Sequence, residues 1–231
     1  EIMPSLVGSE MCIRDRARTS PGVKNNQYFS NMKNSSKKFL TILAAAAMSL
    51  AQYGCLSDFL APTADPTVFH VISPVQVEKK YDCKCDVNLQ SVQLPQYMSR
   101  QQIVSIAESG ILLVSEFDRW AELPSDGFER ALAVDIESSG VASVFMYPAV
   151  SPAAEKACSL RIFVYECLGK IDGKVVLKGK WQLDAPNNSK SVVKNFSFET
   201  SSSDGYGGYA KAINKLIAEL AGQISAEISK F

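Results

Sequence analysis

The strongest apolar pattern in the chain lies near its end. Ile213, Leu216, Ile217, Leu220, Ala221, Ile224 and Ile228 fall at the spacing of one helical face, with Lys211, Lys215, Glu219 and Gln223 elsewhere around it. That predicts a long amphipathic helix whose stripe belongs to a core and lies across a sheet. A second helix is predicted from Pro124-Ser125-Asp126, with Phe128, Ala131, Leu132 and Ile136 turned inward at the same spacing. Period two replaces it over residues 174–184, where Val175, Leu177, Gly179, Trp181 and Leu183 share one face and Lys178, Lys180 and Gln182 the other. With residues 160–168 this segment reads as a hairpin around Asp172-Gly173, a pair able to supply the positive φ angles of a two-residue loop.

Shorter segments fill in the rest. Val68-Phe69-His70-Val71-Ile72 is β-branched and aromatic and reads as a strand ended by Ser73-Pro74. Over residues 87–94 the apolar phase shifts from Val87 and Leu89 to Val92 and Leu94, which calls for a bulge near Gln90-Ser91 or burial on both faces, and Pro95 ends the strand. Ser99-Arg100-Gln101-Gln102 has the form of a capping box and predicts a short helix through Ile103, Val104 and Ile106 that stops at Gly110. Residues 111–114 read as a buried strand, Val144-Phe145-Met146-Tyr147 as a strand stopped by Pro148, and residues 191–200 as a strand with Phe196 and Phe198 inward. The order of elements predicts one α/β domain over residues 67–231, a mixed five- or six-stranded sheet with helices packed on its faces. That length suffices for a proper core.

The segment ahead of the domain has a different character. Met32-Lys33-Asn34-Ser35-Ser36-Lys37-Lys38 is basic, and the apolar run that follows, residues 39–51, is 13 long, against roughly 20 needed to span a bilayer as a helix. Residues 32–54 therefore read as an export signal. The run ends in Gln52-Tyr53-Gly54-Cys55, which resembles the lipobox of bacterial lipoproteins. That resemblance implies that Cys55 carries a diacylglyceryl group and becomes an acylated amino terminus, with residues 55–66 as a tether. Ser49-Leu50-Ala51 also has the small-x-small form of an ordinary signal-peptidase site, which would release a periplasmic chain beginning at Gln52. Residues 1–31 show no period, and their first half looks like translated sequencing adaptor, so they are expected to lie outside the native protein.

Charge and chemistry narrow the function. Beyond residue 54 the chain carries 17 Lys/Arg and 21 Asp/Glu, a formal balance of −4, the wrong sign for a nucleic-acid binder. No Gly-rich phosphate loop with Lys-Ser/Thr, no Gly-x-Ser-x-Gly, no His-Glu-x-x-His and no Cys-x-x-Cys occurs, so no catalytic residue, cofactor or metal ligand is assigned. His70 is the single histidine and is expected to pair its ring nitrogens with strand neighbours. Acylation of Cys55 leaves Cys83, Cys85, Cys158 and Cys167, which allow three connectivities. Cys83 and Cys85 lie two apart on one strand face; structural disulfides with Cys158 or Cys167, or free thiols, are preferred over redox catalysis.

The set Val92-Gln93-Leu94-Pro95-Gln96-Tyr97-Met98-Ser99-Arg100-Gln101-Gln102-Ile103-Val104, then Arg119-Trp120-Ala121-Glu122, Arg130-Ala131-Leu132, Trp181-Gln182-Leu183 and the terminal helix resembles the ABC-type transport auxiliary lipoproteins. The resemblance covers nearly all of the chain from Cys55 onward. It implies a mixed sheet with helices on both faces and a non-enzymatic lipoprotein at the periplasmic face of the outer membrane. It also implies service to an inner-membrane ABC transporter with a mammalian-cell-entry-type periplasmic partner that moves lipids, and a homo-oligomer is a further expectation. Leu94, Pro95, Tyr97, Arg119, Trp120 and Trp181 are expected to act mainly through packing, with Arg119 and Glu122 exposed. The competing readings are a periplasmic thiol-active protein using Cys83 and Cys85, and a scaffold for outer-membrane assembly.

Overall fold

The computed structural model describes Leu43 and residues 64–77, 80–81, 85–186 and 189–230. Every strand and both long helices belong to the compact unit Asp65–Phe231. In chain order these are β1 (Val68–His70), β2 (Cys85–Gln93), β3 (Gln102–Ile106), β4 (Leu112–Trp120), α1 (Pro124–Ser138), β5 (Ala142–Met146), β6 (Cys158–Gly169), β7 (Lys174–Asp184), β8 (Ser191–Ser201) and α2 (Gly205–Ile228). The expected α/β fold with a mixed sheet is present. Its five strands run β5-β2-β6-β7-β8, and a second sheet of three runs β1-β4-β3.

In the larger sheet β2 lies parallel to both β5 and β6, whereas β6-β7 and β7-β8 are antiparallel. The parallel step from β2 to β5 passes through β3, β4 and α1, long enough for a crossover between parallel neighbours. α1 packs over β2 and β5, α2 over β7 and β8, and the helices touch each other. Both therefore cover the same face, where the family resemblance implied one on each. The uncovered face carries Tyr165, Lys178, Asn195 and Glu199, all exposed.

The α2 stripe behaves as its period requires: Ile213, Leu216, Ile217, Leu220, Ala221, Ile224 and Ile228 are each at most 2% exposed. The alternation along β7 is equally literal, with Val175, Leu177, Gly179, Trp181 and Leu183 buried. Gly179 is required there, because a Cβ would stand 2.1 Å from the Phe163 carbonyl oxygen and 2.7 Å from the Phe196 ring. Phe196 and Phe198 point the same way along β8 and stack at 5.9 Å. The phase shift in β2 is a register shift between Leu89 and Ser91, and the Val92 N–H donates to Glu129 Oε1 of α1 at 3.1 Å.

Four local expectations are corrected. Ser99-Arg100-Gln101-Gln102 does not open a helix: residues 102–106 form β3, paired antiparallel with β4. The β-branched Ile103, Val104 and Ile106 fit a strand better than a helix, and the partner strand outweighs the capping pattern. Residues 111–114 belong to a strand, or lead into it, but are not buried. Ile111, Leu112, Leu113 and Val114 are 45–62% exposed, because the β3-β4 hairpin carries them away from the core. The β6-β7 turn is longer than two residues, with strands ending at Gly169 and resuming at Lys174; Asp172 alone of the pair takes a left-handed φ, 54°. Gln223 is not simply a surface residue, since it accepts a hydrogen bond from the buried Trp181 indole.

The two kinds of glycine give a direct stability test. Gly179→Ala should cost roughly 2–3 kcal/mol through overpacking. Gly222→Ala, in the interior of α2 with nothing within 4 Å of the new Cβ, should gain about 0.5–1 kcal/mol. Urea unfolding of the two variants beside the parent checks the pair.

Candidate functional site

Cys55 and Cys83 lie outside the described residues. The other residues singled out from the sequence can be placed, and they separate into three groups.

The first surrounds the exit of β2. Pro95, at φ −58° and ψ 145°, turns the chain into a single 3-10 turn, Gln96–Met98. Leu94 is half-buried against the core and Met98 is buried within it. Tyr97 reaches across to β6, where its hydroxyl oxygen accepts from the Cys167 N–H at 3.0 Å. Burial raises the Tyr97 hydroxyl above its usual range, with the Cys167 N–H pulling the other way. Trp120 closes the same region from β4 at 4% exposure. Tyr97, Met98, Trp120, Cys167, Tyr209 and Ile213 line a crevice of about 10 Å³, room for one water and no substrate. Tyr209 spans it, donating to the Val104 carbonyl oxygen at 3.1 Å, and burial drives its hydroxyl far above the phenol range. The crevice is a joint between the small sheet and the main core, and Tyr209 is its member that the sequence reading missed.

The second group is ionic. Arg119 is half-buried on β4 beside Phe69 of β1. Glu122, expected to be exposed, is half-buried and takes both arms of Arg130, at 2.6 and 2.5 Å. Arg130 also donates to the Ile72 carbonyl oxygen at 3.0 Å, so the pair ties the start of α1 to the chain leaving β1. The hydrogen bonds from Arg130 hold the Glu122 carboxyl below its ordinary value, partly opposed by burial. His70 meets the expectation of a strand residue paired with a neighbour, its Nε2 lying 2.9 Å from Asp118 Oδ1. Trp181 stands apart from both groups, fully buried under α2, and donates through Nε1 to Gln223 Oε1 at 2.9 Å.

The third group is the thiols. Cys85 and Cys158 open neighbouring parallel strands on the same sheet face, with Val87 rather than Cys85 the register partner of Cys158, and Cys85 Sγ lies 3.7 Å from the Val141 carbonyl oxygen. Cys167 lies near the opposite end of β6, roughly 30 Å from Cys158 by strand rise. Burial pushes the Cys167 thiol up to about 12. Among the described residues no three His, Cys, Asp or Glu side chains are placed to hold a metal ion, and no helix is long and apolar enough to cross a membrane. The motif residues of the first two groups join parts of the domain to one another.

Residues 71–225 match the family model described as the ABC-type transport auxiliary lipoprotein component. Among solved structures, an uncharacterized protein aligns at 21% identity with a TM-score of 0.54, over 69% of this chain and 99% of its own. A Xanthomonas campestris protein of the DUF330 family aligns at 12% identity and a TM-score of 0.55, over 69% of this chain and 97% of its own. Both similarities concern the fold. No curated protein matches the sequence.

The Glu122–Arg130 pair predicts a signed pH effect. Because the folded-state carboxyl is lowered, its contribution is present above the ordinary value of 4.5 and disappears as pH falls through the lowered one. With both side chains about a third exposed, Glu122→Gln should lose at most about 1 kcal/mol at pH 7. That difference should shrink below pH 4.5, as read from denaturant midpoints across the range.

Proposed function

Because the chain belongs to the family of ABC-type transport auxiliary lipoprotein components, we propose that it is a non-enzymatic accessory lipoprotein held at the periplasmic face of the outer membrane through Cys55. The observation that carries the reading is the family match across the domain, behind an export signal that ends in a lipobox-like cysteine. Acylation at Cys55 would place up to three hydrocarbon chains in the bilayer. At about 0.8 kcal/mol per buried methylene, two or more such chains hold a protein permanently where one would not. Leu56 follows Cys55 where an Asp would favour retention at the inner membrane.

In this role the domain serves an inner-membrane ABC transporter through a periplasm-spanning partner of the mammalian-cell-entry class, the cargo being lipid and the outcome an intact envelope barrier. A homo-oligomer of the anchored domain belongs to the same proposal.

Intact mass of the membrane-extracted protein, expressed from Met32, tests the anchor. The expected product begins at Cys55 and carries one diacylglyceryl and one further acyl chain, both lost in Cys55→Ala. An unmodified chain beginning at Gln52 would remove the anchor and with it the outer-membrane assignment.

A further inference from the structure

The small sheet keeps an apolar margin in water. Strand alternation sends Leu112 and Val114 to one side of β4 and Leu113 to the other, yet all three are 45–49% exposed, so both faces of the strand are open there. Phe117 of β4 and Val68 and Phe69 of β1 are 44–60% exposed. The register sets them side by side, Val68 opposite Asp118 and Phe69 opposite Arg119. From Ile111 to Phe117 the single charged side chain is Glu116. The edge of β4 is open as well: β3 pairs with one side of it, and β1 meets the other only at residues 118–120, so among the described residues no strand lies there beside 112–117. The β3-β4 turn is polar, and its Glu108 holds Lys170 Nζ at 3.0 Å. The apolar surface is therefore the length of β4 and not the tip of the hairpin.

An exposed apolar strip marks an interaction surface. We infer that this one rests in the interfacial layer of a lipid bilayer, with Leu112, Leu113, Val114, Phe117 and Phe69 at the acyl-chain boundary and Glu116 among the headgroups. Openness on both faces favours lipid, because a folded partner laid on one face covers alternate side chains, whereas a fluid closes around both. The path of the chain favours it too. Residues 56–67 separate Cys55 from β1, a stretch that reaches about 45 Å fully extended and averages about 20 Å as a flexible tether. β1 and its neighbour β4 are thus the strands held nearest an acylated Cys55, and the choice of lipid as occupant rests on that anchor reading. The backbone limits the depth. Edge N–H and C=O groups without a strand partner are costly in hydrocarbon, while the headgroup layer offers water and phosphate and ester oxygens. The contact is interfacial and does not span the bilayer.

The test uses full-length protein expressed from Met32, extracted from membranes, with its acylation read by intact mass. It is reconstituted into vesicles of phosphatidylethanolamine and phosphatidylglycerol, part of them with brominated acyl chains. Two variants report position: Leu113→Trp in the strip, and Tyr165→Trp on the uncovered face of the larger sheet. Brominated lipid should quench Leu113→Trp and leave Tyr165→Trp no more quenched than the parent. Equal quenching of the two in acylated protein would overturn the inference and leave the anchor standing. So would a Leu113→Trp side chain hidden from a water-soluble quencher when no vesicles are present, since a second copy or another protein would then be the occupant. The unacylated Cys55→Ala chain reads the strip without the anchor. It should still sediment with the same vesicles, and adding Leu112→Thr and Leu113→Thr should weaken that binding about tenfold with the melting temperature little changed, both positions being half in water. Cys55→Ala protein that stays in the supernatant, or binding unaffected by the two threonines, would also overturn it.

Discussion

The apolar stripe of α2 has to be covered, and the rest of the fold is arranged to cover it. Seven side chains of that stripe are essentially withdrawn from water, a burial worth on the order of 1.5–3 kcal/mol for each of the large ones. β7 and β8 supply one wall and α1 the other. Placing two helices on one sheet face buries polar groups with them, and most of these are matched, although Asp135 of α1 keeps one carboxylate oxygen, Oδ2, without a partner. Ser139, at the end of α1, and Ser225 of α2 are both fully buried and their hydroxyls meet at 3.1 Å. The Trp181 indole, buried under the same helix, finds Gln223. Each satisfied group removes a desolvation cost that the stripe would otherwise have to offset.

That constraint explains which parts of the architecture could be read from the sequence. α2, α1, β7 and the bulge in β2 follow from periodicities that are local in the chain, so seven apolar positions at helical spacing or five at alternate positions were enough. β3 was not legible, because a Ser-x-x-Gln pattern ahead of Ile103 and Val104 looks like a helix start until the antiparallel partner is known. The exposure of Leu112, Leu113 and Val114 was hidden for a similar reason. A run of apolar residues states that burial would be favourable, and only the path of the hairpin decides whether anything comes close enough to provide it. The division into sheets of five and three strands likewise depends on contacts between distant segments.

The candidate residues show the same split. Pro95 and Tyr97 were recognisable as a motif, and Tyr97 proved to be a fastener between the exit of β2 and the bulged part of β6. Trp120 and Trp181 were recognisable as anchors, but no sequence pattern tied Tyr209 to Val104 across more than a hundred residues of chain. Glu122 was expected in water; Arg130 of α1 draws it into an ion pair that also holds the Ile72 carbonyl. The thiols were countable from the sequence and could not be placed from it. The parallel alignment of β2 with β6 is what sets Cys158, and not Cys167, near the start of β2.

What emerges is a domain whose motif residues are engaged in packing its sheets and helices together. The chain belongs to the ABC-type transport auxiliary lipoprotein family, and under the proposed function it would be held through Cys55 and recognised by transporter partners on its outer surface. The most direct measurement is affinity capture of the mature protein from detergent-solubilised membranes of cells expressing it at native level, with transporter subunits quantified by mass spectrometry. The account predicts enrichment of an ABC transporter's membrane and ATPase subunits together with a mammalian-cell-entry-type periplasmic protein. Recovery of the lipoprotein from the same membranes with none of these enriched, although all are present in the input, would contradict it.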